Sequence, residues 1–257
     1  MRRRNFGLMA LAATAILALS AALAHAETAE IRVGVKQTMR ATLITPDGNG
    51  PAPAILLLHT SGGLQEADID FGRRLAREGY VVLVPAFLEA YGISPRGRQA
   101  AFTTEAEPIY ADFLAALDTL KHHPRVAGGK LGAIGFSNGG YFALWLAATG
   151  KVQAGVSYYG ALSGAGTDRE LSRFKDAFNK GSSPVLILHG TEDGTVPFAA
   201  AQRLSKIVAA AGSPYEFYPY DGAGHRFDRS GSSADQAAAA DAWQRTLAFF
   251  GKYLKQP

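Results

Sequence analysis

The sequence predicts an α/β fold, a mostly parallel central sheet with helices on both faces. Three observations carry that expectation. Continuous apolar runs such as Ala54–Leu58 and Leu186–Leu188 suit strands buried on both faces. Strand-like segments alternate with helical segments of about 10–20 residues, the pattern of right-handed crossovers around a parallel sheet. A glycine-rich turn, Gly135-Phe136-Ser137-Asn138-Gly139-Gly140, joins the apolar run Leu131–Ile134 to the helical stretch Tyr141–Leu146.

The elements follow in order. Ile31–Val35 alternates as a strand, Arg40–Ile44 alternates loosely, and Pro46-Asp47-Gly48 forms a turn. Ala54–Leu58 is the first buried strand. A helix over Glu66–Glu78 stops at Gly79 and feeds the strand Tyr80–Val84. Ile109, Phe113, Leu117 and Leu120 recur at helical spacing. Strand Lys130–Gly135 leads to the helix after Ser137, then to strand Val152–Tyr159. The polar stretch 160–183 holds a short helix over Arg169–Asn179. Strand Pro184–His189, helix Phe198–Ala211 and strand Tyr215–Tyr220 come next. A final helix, ending near Leu254, sets Trp243, Leu247, Phe250 and Leu254 on one core-facing side. No repeat and no second domain interrupt residues 27–257.

The first 26 residues read as an export leader. Arg2-Arg3-Arg4 is basic, Leu8–Leu23 is apolar and uncharged, and Ala24-His25-Ala26 is a cleavage signal before Glu27. An uncleaved anchor is the competing reading, which the small-x-small ending disfavours. The expected location is the periplasm or the medium, by the Sec or the twin-arginine route. Without the three leader arginines the net charge falls from +4 to +1. That balance gives no reason to expect nucleic acid, or a membrane after cleavage, as a partner. The chain has no cysteine, so a thiolate nucleophile, a disulfide and a Cys-metal site are all excluded.

Gly135-Phe136-Ser137-Asn138-Gly139 is G-x-S-x-G between a strand and a helix, the nucleophile elbow of α/β-hydrolases. A serine hydroxyl needs a base, and the base needs an orienting acid. Asp193 lies just past the strand ending at His189, and His225 lies in the loop after Tyr220. The order Ser137, Asp193, His225 is the order this fold uses, and all three sit at carboxyl ends of strands. Glu192 and Asp221 are weaker candidates for the acid. His189 is read as a structural histidine, and His122 and His123 as helix-end or surface residues with no third ligand for a metal. An oxyanion hole requires two N–H groups. Asn138 supplies one; the loop His59-Thr60-Ser61-Gly62-Gly63 supplies the other, through Ser61 or next Thr60.

From about Ala54 to Phe250 the chain resembles the dienelactone hydrolase family. The elbow, Ser157-Tyr158-Tyr159-Gly160, His189-Gly190-Thr191-Glu192-Asp193 and Gly224-His225-Arg226-Phe227-Asp228-Arg229 carry the resemblance. The founding members use a cysteine nucleophile with a nearby glutamate; here Ser137 and Thr60 stand at those positions. The loop after Val84-Pro85 lacks the family's carboxylate-binding arginine. Arg229 matches a second such arginine, with a surface ion pair as the alternative. Arg229, Thr60 and Tyr158 are the expected substrate-binding residues, and Phe87, Tyr91, Phe102 and Tyr159 suggest aromatic surroundings.

The expected function is a serine hydrolase cleaving small carboxylic esters or lactones through an acyl-enzyme, with no metal or organic cofactor. A thioesterase or peptidase with the same three residues, or a non-catalytic binder on this fold, are the alternatives.

Overall fold

The computed structural model describes residues 26–33, 37–160 and 168–256. The expected leader lies outside the described residues except for Ala26, which opens the first strand.

Eight strands form one sheet: β1 (Ala26–Val33), β2 (Gln37–Ile44), β3 (Ala52–Leu58), β4 (Val81–Pro85), β5 (Val126–Phe136), β6 (Ala154–Tyr158), β7 (Val185–Gly190) and β8 (Tyr215–Tyr220). Their order is β1-β2-β4-β3-β5-β6-β7-β8. β1 and β2 pair antiparallel, β2 pairs antiparallel with β4, and every other pair is parallel. The helices are α1 (Glu66–Arg77), α2 (Phe87–Ala90), α3 (Ala106–Lys121), α4 (Asn138–Ala148), α5 (Asp168–Ala177), α6 (Phe198–Ala210) and α7 (Ser233–Leu254).

The pleat sends alternate residues of each strand to opposite faces. In β3, Ala54, Leu56 and Leu58 join the core under α3, α4 and α6, while Ile55 and Leu57 join the core under α1 and α7. In β7, Val185 and Ile187 go one way and Leu186 and Leu188 the other. Both faces are therefore covered, which is why these strands read as unbroken apolar runs. On α7, Phe250 and Leu254 are fully buried, and Trp243 and Leu247 pack on the same core.

Several boundaries differ from the sequence expectation. β5 starts at Val126 rather than at Lys130, because Val126 pairs with Ala52 across an irregularity in register. α2 and a 3₁₀ turn over Pro95–Phe102 fill a stretch with no periodic signal. A second 3₁₀ turn, Phe227–Arg229, follows the candidate histidine.

Candidate active site

The chain passes from β5 into α4 through Ser137, whose φ of 51° and ψ of −114° are left-handed. Only close surroundings hold a serine there. The Ser137 N–H donates to the Tyr158 carbonyl at 3.0 Å, and the Tyr141 N–H donates to the Ser137 carbonyl at 3.2 Å. A Cβ on Gly135 would come within 2.1 Å of the Gly139 carbonyl, and one on Gly139 within 2.0 Å of the Leu58 carbonyl oxygen. The two glycines of G-x-S-x-G are therefore required by contact as well as by bend. The Asn138 N–H opens α4, so no helical carbonyl accepts it, and the helix dipole adds positive potential there.

Asp193 lies past β7, fully buried at its side chain. Its Oδ1 accepts the Thr195 and Val196 N–H groups at 2.9 and 2.7 Å. Its Oδ2 lies 2.8 Å from His225 Nδ1. A buried carboxylate accepts and does not donate, so Nδ1 carries the proton and Nε2 is left as a base. Burial by itself would raise the Asp193 carboxyl. The bonds from His225 and from the Val196 N–H outweigh it and hold the group below the ordinary carboxylate range.

His225 lies past β8, where the Gly224 N–H donates to Asp235 Oδ1 of α7 at 2.8 Å. The next residue, Arg226, is left-handed with φ 61°. The Tyr159 ring meets the His225 ring at 4.8 Å and 63°. Tyr159 directly follows Tyr158, whose carbonyl holds the Ser137 N–H, so the β6 end links the serine turn to the histidine loop.

The neighbouring candidates separate cleanly. Glu192 is exposed. Asp221 accepts from Thr191 Oγ1 at 3.3 Å, a bond that serves its own turn. His189 is buried, with Nε2 2.9 Å from the Val196 carbonyl and 3.4 Å from Asp193 Oδ2. Burial lowers its pKa, so it stays neutral and donates. His122 caps the end of α3, its Nδ1 2.8 Å from the Asp118 carbonyl.

β3 and β5 are neighbours with Leu58 opposite Gly135, so the loop 59–63 emerges beside the serine turn. Thr60 shapes that loop. Its carbonyl accepts the Gly63 N–H at 3.2 Å, its hydroxyl accepts the Gly62 N–H at 3.2 Å, and His59 Nδ1 lies 2.8 Å from its carbonyl. His59 stacks on Phe87 at 4.1 Å, and burial pulls its pKa down to about 4.

Two of the expected substrate contacts lie in buried surroundings. Tyr158 is a core residue: its ring packs with Phe71, Phe136 and Phe227, and its hydroxyl lies 2.9 Å from Thr246 Oγ1 of α7. Strand alternation sends it to the α1 and α7 face. Arg229 makes no surface ion pair. Its Nη2 donates to buried Asp68 Oδ1 at 2.5 Å and its Nε to Asp228 Oδ2 at 3.1 Å. The Tyr159 hydroxyl donates to the other Asp228 oxygen. Asp68, a lone carboxylate in an amphipathic helix, gives no sign in the sequence of a partner so distant in the chain. Among the described residues no three His, Asp or Glu side chains gather to hold a metal ion.

A sequence model of the dienelactone hydrolase family matches residues 39–254. A carboxymethylenebutenolidase of Rhodococcus opacus is 31% identical over 210 residues, covering 80% of this chain and 83% of that one. Two solved structures share the fold. A dienelactone hydrolase-like promiscuous phosphotriesterase from metagenomic libraries superposes with a TM-score of 0.74 at 21% identity, covering 90% of this chain and 99% of that one. The acylaminoacyl peptidase of Pyrococcus horikoshii superposes with a TM-score of 0.73 at 17% identity, covering 92% of this chain but 43% of the peptidase.

Proposed function

The chain belongs to the dienelactone hydrolase family and is a carboxylic ester hydrolase; we propose that it cleaves small esters or lactones through a Ser137–Asp193–His225 triad. The 2.8 Å contact between Asp193 Oδ2 and His225 Nδ1 carries this reading. With Nδ1–H bound to a carboxylate, Nε2 takes the Ser137 proton as Oγ attacks the acyl carbon. The Asn138 and Ser61 N–H groups receive the oxyanion. The imidazolium then protonates the departing alkoxide, which in a lactone stays tethered to the acyl chain. Water, deprotonated by His225, attacks the acyl-enzyme and frees the acid. Asp193 remains ionised throughout, since its other oxygen is held by two backbone donors.

Asp68 and Asp228 hold Arg229 at Nη2 and Nε, and its buried Nη1 has no hydrogen-bond partner among the described residues. The reading also includes export with removal of residues 1–26. Cleavage there would take only Ala26 from β1, leaving the strand from Glu27 onward.

A fluorophosphonate probe tests the nucleophile. Labelling mapped to Ser137, together with p-nitrophenyl acetate turnover that disappears in S137A and H225A, is the expected result. A folded chain that takes no label would overturn the triad reading. Mass spectrometry of the exported protein, with Glu27 as first residue, tests the leader.

A further inference from the structure

Three non-glycine residues among those described have left-handed backbones: Ser137 with φ 51°, Tyr159 with φ 37° and Arg226 with φ 61°. Ser137 is the nucleophile in the reading above, and Arg226 directly follows the base. Tyr159 has no part in that chemistry, yet it is held in the same costly region. Such strain persists only where the surroundings over-determine it, and it collects at functional positions.

The surroundings of Tyr159 are unusually complete. Its N–H donates to the Leu188 carbonyl at 2.7 Å, anchoring it to the end of β7. Its side chain is fully buried. Phe227 meets the ring at 5.4 Å and 83°, and Phe136 at 6.2 Å. The hydroxyl donates to Asp228, whose second oxygen accepts Arg229 Nε at 3.1 Å; Arg229 in turn reaches Asp68 of α1. Burial first, and the Asp228 charge next, raise the phenol far above its ordinary pKa, so it remains a donor. The ring is thus clamped at its hydroxyl end and packed along its sides. Tyr158 meets it at 6.4 Å, and the His225 imidazole lies closest of these rings, at 4.8 Å.

Asp193 holds His225 at Nδ1 alone. One hydrogen bond fixes a point on the imidazole but leaves the ring free to rock about that contact. A second contact is needed to aim Nε2. We propose that Tyr159 is the positioning residue for His225: its clamped ring supports the imidazole, so that Nε2 is presented to Ser137. The proposal rests on His225 being the base.

The test uses the full chain and the variants Y159F and Y159L. The His225 Nδ1–H gives a low-field proton resonance, identified by its absence in H225Q. The parent should show it; Y159F should keep it broadened, and Y159L should lose it. With p-nitrophenyl acetate, kcat should fall about fivefold in Y159F and about fiftyfold in Y159L, with KM held within about twofold, the signature of a misplaced reacting group. A folded Y159L with the parental resonance and parental kcat overturns the proposal. If Y159L does not fold, Y159F decides: a lower kcat at constant KM supports the role, and parental kcat overturns it. A parent chain without turnover would defeat the triad reading, while the resonance would still report whether Tyr159 holds His225.

Discussion

Asp193 presents one carboxylate oxygen to His225 Nδ1 at 2.8 Å and commits the other to the Thr195 and Val196 N–H groups. The acid is therefore fixed by the backbone before it fixes the histidine. In D193N the amide nitrogen can face Nδ1 and favour the wrong tautomer. We expect kcat for p-nitrophenyl acetate to fall by about 10⁴ while the protein stays folded. In contrast, D221A should retain activity within about twofold, since loss of one exposed turn contact is worth little.

G139A tests the elbow. The added methyl would lie 2.0 Å from the Leu58 carbonyl oxygen, so β3 and α4 must separate. A loss of about 3 kcal/mol in urea unfolding is expected, with activity abolished even where the protein folds. A fully active, equally stable G139A would contradict the packing described.

The buried histidines make stability fall on mild acidification. His59 has its pKa lowered from 6.5 to about 4 by burial, and His189 is shifted the same way. The folded state therefore resists the proton that the unfolded state accepts. Stability is whole above pH 6.5 and declines as pH drops toward 4, by about 3 kcal/mol for His59 alone. Asp193 is shifted down as a carboxyl, so its contribution is present above the unfolded carboxyl pKa and is lost only at still lower pH. Urea titrations at pH 6.5 and 4.5 should show the decline, and H59Q should lessen it.

R229A tests the buried charge network. It would leave Asp68, whose side chain is fully buried, without its cation. A buried carboxylate stripped of its partner costs about 3–5 kcal/mol, which for a domain of this size lowers the thermal midpoint by about 10 °C. An unchanged midpoint would show that the pair carries no net stability.

Much of this molecule is legible in its sequence because β3, β4, β5 and β7 are covered on both faces. Their apolar runs stand out, and the residues just beyond their ends are the natural site candidates. The pairing of Asp193 with His225 follows from that logic. Other features depend on contacts that no local pattern encodes. The expected strand begins at Lys130, yet pairing with β3 carries β5 back to Val126. Tyr158 and Tyr159 look equivalent side by side. Alternation turns the first into the core, and a left-handed φ, unreadable at a tyrosine, sets the second against His225. Arg229 and Asp68 meet only because the histidine loop folds back over α1.

The bend at position 137 is secured by neighbours: two glycines without room for a methyl, and the carbonyl of Tyr158 gripping the main-chain N–H. Nothing in that grip involves the serine side chain. The backbone is thus indifferent to which small side chain stands at position 137. S137C should keep the same backbone and exchange oxygen for sulfur chemistry, a swap that lets one architecture serve more than one reactive atom without being rebuilt.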